Sequence, residues 1–193
     1  MLHSLRVSGF WARLHNANSS VLDSLLTGAE VAAIARRLGR PIPVTPDWVP
    51  ADSGEAGGRF AQPRHAGALY LGNDLETCVA EIIHHHSILC ADSDTTPVGM
   101  HSTYRHLVFR IAGTMAEATR HGRLLLNPSD YAASWNFGRR VRKAQLDGVN
   151  YLSVRAPGGT CLAIFENRAV QFHHVEFGAV LLEWDGSRSR RIG

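Results

Sequence analysis

No apolar run in this 193-residue chain approaches the roughly 18 residues that a bilayer-spanning helix requires, so no membrane segment is expected. The opening Met1-Leu2-His3-Ser4-Leu5-Arg6 has no basic start followed by an apolar stretch, and no signal peptide is expected there. Cysteine is scarce. Cys78, Cys90 and Cys161 are odd in number, widely spaced and without a C-x-x-C pair, which argues against a disulfide scaffold and for a reducing, cytoplasmic site of action. Delivery to another cell stays open. Named nucleic-acid motifs are missing too: there is no C2H2 spacing, no RNP-like aromatic octamer and no P-loop. There are no internal repeats, and no alternation of strand and helix long enough for a doubly wound sheet.

What is present describes a folded globular chain. Hydrophobic residues make up 45%, enough for a sizeable core in one domain. The formal charge is +3 but the isoelectric point is near 9.0. Basic residues gather at Arg139-Arg140-Val141-Arg142-Lys143 and from Arg188 to Arg191. Such clusters suit anionic ligands, or simply form a solvated helix face and a tail.

Residues 1–50 read as an N-terminal strand and helix extension packed on a core formed by 51–193. Ser20 is placed to cap a helix from about Val21 to Leu38, ended by Gly39 and Pro41. Residues 41–58 read as a long loop. A short strand is expected from Ala68 to Gly72. A helix then follows to about His86, with Asn73 and Glu76 as a capping box and Leu75, Val79, Ile82, Ile83 and His86 on one side. Tyr104 to Ile111 alternates as a strand. Ser129 is placed to cap a helix carrying Tyr131, Trp135 and Val141. Val149–Arg155 and Cys161–Phe165 read as a hairpin turning at Ala156-Pro157-Gly158-Gly159, and two further strands are expected near Val170–His174 and Phe177–Trp184. The class is α+β, with a bent, mainly antiparallel sheet flanked by helices.

Arg59, Tyr70 and Glu81 are spaced eleven residues apart. A guanidinium can take a phosphate in bidentate fashion, a phenol offers a flat face with one hydroxyl, and a carboxylate can stabilise developing positive charge. Glu81 lies nearly opposite the apolar stripe of its helix, facing water or a cleft. On the first hairpin strand, period two groups Val149, Tyr151, Ser153 and Arg155, a face more suited to a ligand cleft than to a core. His84-His85-His86 invites a metal reading, but consecutive helical residues diverge by about 100° and cannot converge on one ion. No metal is expected. His84 or His85 can instead line the cleft near Glu81. No cysteine has a context that would activate it as a nucleophile.

Taken together, Gly57-Gly58-Arg59-Phe60, Leu69-Tyr70-Leu71 and Glu76-Thr77-Cys78-Val79-Ala80-Glu81 resemble the first half of the RES domain family. Asn127-Pro128-Ser129-Asp130-Tyr131, Gly148–Arg155 and Pro157–Phe165 resemble its second half. The resemblance covers roughly residues 55–170, with weaker similarity through Trp184-Asp185-Gly186. Phe60-Ala61 departs from the Trp-Asn that often follows the family's arginine.

The resemblance implies a fold similar to ADP-ribosyltransferases. It makes Arg59, Glu81 and Ser153 the residues that name the family, and NAD+ a substrate rather than a cofactor. Many family members are toxins of toxin–antitoxin pairs that break down NAD+ by hydrolysis or phosphorolysis. The implied site is Arg59, Tyr70, Glu81 and Ser153, with Arg155 and an N-terminal arginine, Arg13 or else Arg6, on the nucleotide. The implied partner is an antitoxin or immunity protein; a homo-oligomer stays open. Transfer of ADP-ribose to a protein is the alternative within the same chemistry. An inactive module binding nucleic acid or an acidic protein through the basic helix is the alternative outside it.

Overall fold

The computed structural model describes residues 2–16, 48–50, 52–55, 57–120 and 122–193. Within them the strands are β1 (Ser4–Asn16), β2 (Leu69–Gly72), β3 (His101–Glu117), β4 (Gly148–Leu152), β5 (Thr160–Ile164), β6 (Val170–Trp184) and β7 (Ser189–Arg191). Two helices, α1 (Leu75–Ala91) and α2 (Ala132–Lys143), flank them, with one further helical turn at Gly122–Leu125. The strands form a single sheet in the order β1-β2-β5-β4-β3-β6-β7, and β1 also pairs with β3. The sheet is bent far enough to close on itself. Along β1, Ser4 lies opposite Ala116 and Asn16 opposite Tyr104 on β3, while Ala12 meets Gly72 of β2. Among the described pairings only β3 with β4 is parallel, so the expected α+β class with a bent, mainly antiparallel sheet holds.

Three apolar clusters fill the structure. Leu69, Leu107, Phe109, Ile111, Leu162 and Ile164 are fully buried on strands β2, β3 and β5. Phe60, Phe137, Val141, Val149 and Ala163 pack α2 against the sheet. Ala12, Leu14, Cys78, Val79, Tyr104 and Leu182 do the same for α1. Burying each large apolar side chain contributes about 1.5–3 kcal/mol. The expected stripe on α1 faces this third cluster, with Leu75, Ile82 and Ile83 partly buried against it.

Several local expectations are corrected. The cap of α1 is Asp74, whose Oδ1 accepts the Thr77 N–H at 2.7 Å. Asn73 serves elsewhere: its Oδ1 accepts the Thr160 N–H at 2.8 Å and ties the helix start to β5. The helix also runs past His86 to Ala91, because Cys90 continues its buried side. Ser129 caps nothing; Asp130 Oδ1 receives the Ala132 N–H at 2.9 Å, and Tyr131 occupies the N-cap position. Strand β4 stops at Leu152, since the Ser153 N–H turns back to the Gly159 carbonyl at 2.9 Å. The two expected C-terminal strands are one, β6, interrupted by register shifts opposite Arg105–Leu107 and Val108–Phe109 of β3. The helix expected from Val21 to Leu38 lies outside the described residues, as does part of the 41–58 loop.

Candidate active site

A cleft of about 450 Å³ opens between β1, β2, the inner side of α1 and the loop before β2. Its position follows from the sheet closure, which brings Arg13 on β1 beside Tyr70 on β2 and Glu81 on α1, all three lining the cleft. Arg59 and Arg155 line it as well. Among the described lining residues, three guanidiniums face one carboxylate.

Arg59 enters from a tight turn in which the Gly58 N–H donates to the Ala61 carbonyl at 2.7 Å. Gly58 has no alternative here: a Cβ would stand 2.5 Å from the Tyr70 hydroxyl. The turn is held from outside by Trp135, whose indole N–H donates to the Gly58 carbonyl at 2.9 Å. Arg59 itself is buried. Its Nη1 donates to the carbonyls of Leu125 (3.3 Å) and Asn127 (2.8 Å), and its guanidinium carbon lies 4.6 Å from the centre of the Tyr131 ring. Nε and Nη2 have no protein partner among the described residues, which leaves one edge of the fork for an anion.

The Tyr70 hydroxyl accepts the Phe60 N–H at 3.0 Å. Burial pushes its phenol up to about 12, so the ring is neutral and its proton remains free to donate. Arg13 makes no hydrogen bond or ion pair with a described residue, and burial pulls its guanidinium below the ordinary value. An arginine stays charged nonetheless, so Arg13 is an uncompensated cation on the cleft wall. Arg6, the other N-terminal candidate, is exposed and is not among the lining residues.

Glu81 and Ser153 meet directly: the Ser153 hydroxyl donates to Glu81 Oε1 at 2.6 Å. The same hydroxyl oxygen accepts the N–H groups of Arg155 (3.1 Å) and Ala156 (2.9 Å). Arg155 reaches back over the cleft, its Nη2 lying 2.7 Å from His84 Nε2 and donating to the Pro128 carbonyl at 3.1 Å. Burial, ahead of any charge, pulls both His84 and His85 below the ordinary histidine value, so both are neutral at pH 7.

The histidine run therefore splits. His84 and His85 line the cleft, while His86 turns into the protein between Ser189 Oγ (2.6 Å) and Ser102 Oγ (2.8 Å). Among the described residues, no group of three or more His, Cys, Asp or Glu side chains is placed to hold a metal ion. Cys78 and Cys161 also line the cleft, but burial pushes both thiols up to about 12, far from the thiolate that a nucleophile needs.

Sequence reasoning missed Tyr131 and Trp135 as parts of this site, placing both merely on a helix. The segment Asn127–Tyr131 carried the signal, since its conformation supplies the Asn127 carbonyl and the Tyr131 ring to Arg59.

None of the curated proteins matches this sequence. Among solved structures the fold is similar to the crystal structure of the M. tuberculosis MbcT–MbcA toxin–antitoxin complex, with a TM-score of 0.55 at 14% identity over 90% of this chain and 85% of that one. The sequence model described as the RES domain matches residues 34–185. That span takes in Arg59, Glu81 and Ser153 and well over half of the sequence, and the chain belongs to the RES domain family.

Proposed function

We propose that this protein cleaves the nicotinamide–ribose bond of NAD+ and passes the ADP-ribosyl group to water or phosphate. The observation that carries the reading is the Glu81–Ser153 pair, a carboxylate fixed by a hydroxyl inside a cleft whose other charges are guanidiniums. That charge pattern complements a pyrophosphate joined to a ribosyl centre that becomes cationic. The volume falls within the usual range for small-molecule sites, about 300–1,000 Å³.

In the reaction the C1′–N bond breaks, and its electron pair goes to the positively charged nicotinamide ring, which leaves neutral. No general acid is needed. The barrier is the oxocarbenium-like ribosyl centre, and Glu81 stabilises it or orients the incoming acceptor. An oxygen of that acceptor then bonds to C1′; when it is water, one proton is released. Arg59 takes the pyrophosphate through its free edge, with Arg13 and Arg155 as further anion contacts. Tyr70 presents its ring to a base of the dinucleotide, and Ser153 holds Glu81 in place. NAD+ is the substrate, and no cofactor enters the scheme.

Family membership, and the likeness to a structure that is itself a toxin–antitoxin complex, support a cytoplasmic toxin restrained by an antitoxin. The basic helix gives less support to a nucleic-acid module. Arg142 is folded over the Phe165 ring at 3.7 Å with hydrogen bonds to the Ala66 and Gly67 carbonyls, and Arg139 bonds Gln62 and Asn136.

The test incubates purified protein with NAD+, with and without phosphate, beside Glu81→Ala. Nicotinamide release that vanishes in the variant is expected. ADP-ribose as co-product means hydrolysis, and ADP-ribose-1″-phosphate appearing only with phosphate means phosphorolysis. No release, together with no ADP-ribosylated protein in a lysate, overturns the reading. Nucleic-acid binding with a steep salt dependence and no turnover puts the alternative in its place.

A further inference from the structure

Arg155 and His84 come from the turn after β4 and from α1, and their contact at 2.7 Å fixes more than a distance. A guanidinium only donates, so His84 Nε2 is the acceptor and the ring proton sits on Nδ1. The imidazole is neutral for as long as the contact lasts. The Arg155 nitrogen involved, Nη2, is also the one that reaches the Pro128 carbonyl. The guanidinium is thus anchored through a single nitrogen. Its Nε is buried without a partner, and no described residue bonds Nη1. A buried charged donor left this way is costly by itself, while Nη1, which is not buried in this way, is the nitrogen open to an oxyanion in the cleft that Arg155 lines. The backbone of Arg155 is tied to the same machinery, since its N–H donates to the Ser153 hydroxyl that holds Glu81.

We infer that His84 is a positioning residue: it sets the Arg155 guanidinium as a phosphate-binding group beside Glu81 and releases it when the imidazole takes up a proton. A protonated ring has no acceptor for Nη2 and repels it. The groups facing His84 are Glu81 and His85 on α1, Arg155 on the turn and Arg59 on the loop. Burial, Arg155, His85 and Arg59 all push against protonation, and Glu81 favours it. The contact is therefore intact at neutral pH and opens on the acid side of the ordinary histidine value of 6.5. This makes the cleft's grip on an anion pH-dependent through a residue that need not touch the substrate. The identity of the anion, a phosphate of NAD+, rests on the function proposed above; the coupling between the two side chains does not.

The experiment therefore has two readouts, both on the full-length protein. The first is nitrogen-detected NMR of the histidine rings across pH 5 to 8. His84 is expected as the Nδ1–H tautomer, titrating below the ordinary range. In Arg155→Gln, which removes the cation, its midpoint moves up. The second is affinity for ADP-ribose, which has the phosphates but no nicotinamide bond to cleave. His84→Ala weakens it on the order of tenfold at pH 7.5, the scale of one charge-assisted hydrogen bond. His84→Gln, whose amide oxygen can still accept from Nη2, restores it and removes the loss seen at acid pH. An unmoved His84 midpoint in Arg155→Gln, or wild-type affinity in His84→Ala, overturns the inference. A wild-type protein that neither binds ADP-ribose nor releases nicotinamide, while the Arg155→Gln shift persists, upholds the coupling and overturns only the NAD+ reading.

Discussion

The Ser153 hydroxyl donates to Glu81 Oε1 at 2.6 Å while its oxygen accepts two backbone N–H groups, those of Arg155 and Ala156. A serine hydroxyl has one donor and two acceptor positions, and all three are used. With both lone pairs taken, the proton has one direction left, toward the carboxylate. The turn that ends β4 therefore also fixes the rotamer of a side chain on α1.

Glu81 and Ser153 then differ in what they supply. Glu81→Ala removes the charge and is expected to lower kcat by about 10²–10³ with little change in thermal stability, since the side chain faces the cleft. Ser153→Ala keeps the charge but frees its rotamer and opens the turn. It should lower kcat by roughly tenfold and cost about 1 kcal/mol of stability, the scale of one ordinary hydrogen bond. Nicotinamide-release kinetics beside thermal unfolding separate the two. Wild-type kcat in Ser153→Ala would show that the carboxylate needs no orientation.

Arg59 holds structure as well as ligand. Its Nη1 serves the Leu125 and Asn127 carbonyls, and its plane covers Tyr131. A lysine supplies a point charge, not a planar fork, so Arg59→Lys is expected to lose both ADP-ribose affinity and about 1–3 kcal/mol of folding free energy. Urea unfolding alongside calorimetric binding measures both. A variant with reduced affinity and unchanged stability would reduce Arg59 to a ligand group alone.

How much of this was legible beforehand depended on whether a signal was local. Tyr70 lies in a strand that reads from Ala68-Leu69-Tyr70-Leu71, and Glu81 falls off the apolar stripe of a helix with plain periodicity; both sit where those patterns placed them. Arg13 could not be chosen over Arg6 from the sequence. The choice depends on β1 pairing with β3 and touching β2 at Ala12, long-range contacts without a local signature. The β6 strand read as two because its register shifts bring Glu176-Phe177-Gly178 out of step with β3. At α1, Asn73 and Asp74 are both good caps, and only the proximity of Thr160 assigns Asn73 to another task.

Gly58 and Tyr70 are tightly coupled. An added Cβ at Gly58 would meet the Tyr70 hydroxyl at 2.5 Å and its ring carbons at 2.9 and 3.0 Å. The ring cannot retreat without breaking the bond from the Phe60 N–H. Gly58→Ala should thus destabilise by about 1–3 kcal/mol through overpacking and lower NAD+ turnover. Tyr70→Phe removes the hydroxyl that an alanine would strike, but orphans the Phe60 N–H. The double variant is then expected to fall short of the sum of the two by more than 0.5 kcal/mol, the usual sign of contact. Additive losses in denaturant unfolding would mean that the glycine is required for its backbone only.

Asp74 links acid stability to the helix that carries Glu81. Its hydrogen bond from the Thr77 N–H, reinforced by the Thr77 and Asn73 side chains, holds its carboxyl below the usual aspartate range. The sign follows from that direction. A carboxylate whose folded value is depressed stabilises the fold above the unfolded value, near 3.9, and loses that contribution as pH falls through the folded value. Asp74→Asn keeps a capping oxygen of similar rank but gives up the charge at the helix N-terminus, about 0.3–1 kcal/mol. The variant should be slightly less stable than wild type at pH 7, and the gap should close as pH is lowered toward 3. Asp74→Ala, with no cap at either pH, should lose about 1 kcal/mol and retain most of that deficit in acid. Urea unfolding of the three proteins at pH 7, 5 and 3 tests this; a gap between wild type and Asp74→Asn that does not narrow would show that the ionised cap adds nothing beyond its hydrogen bond.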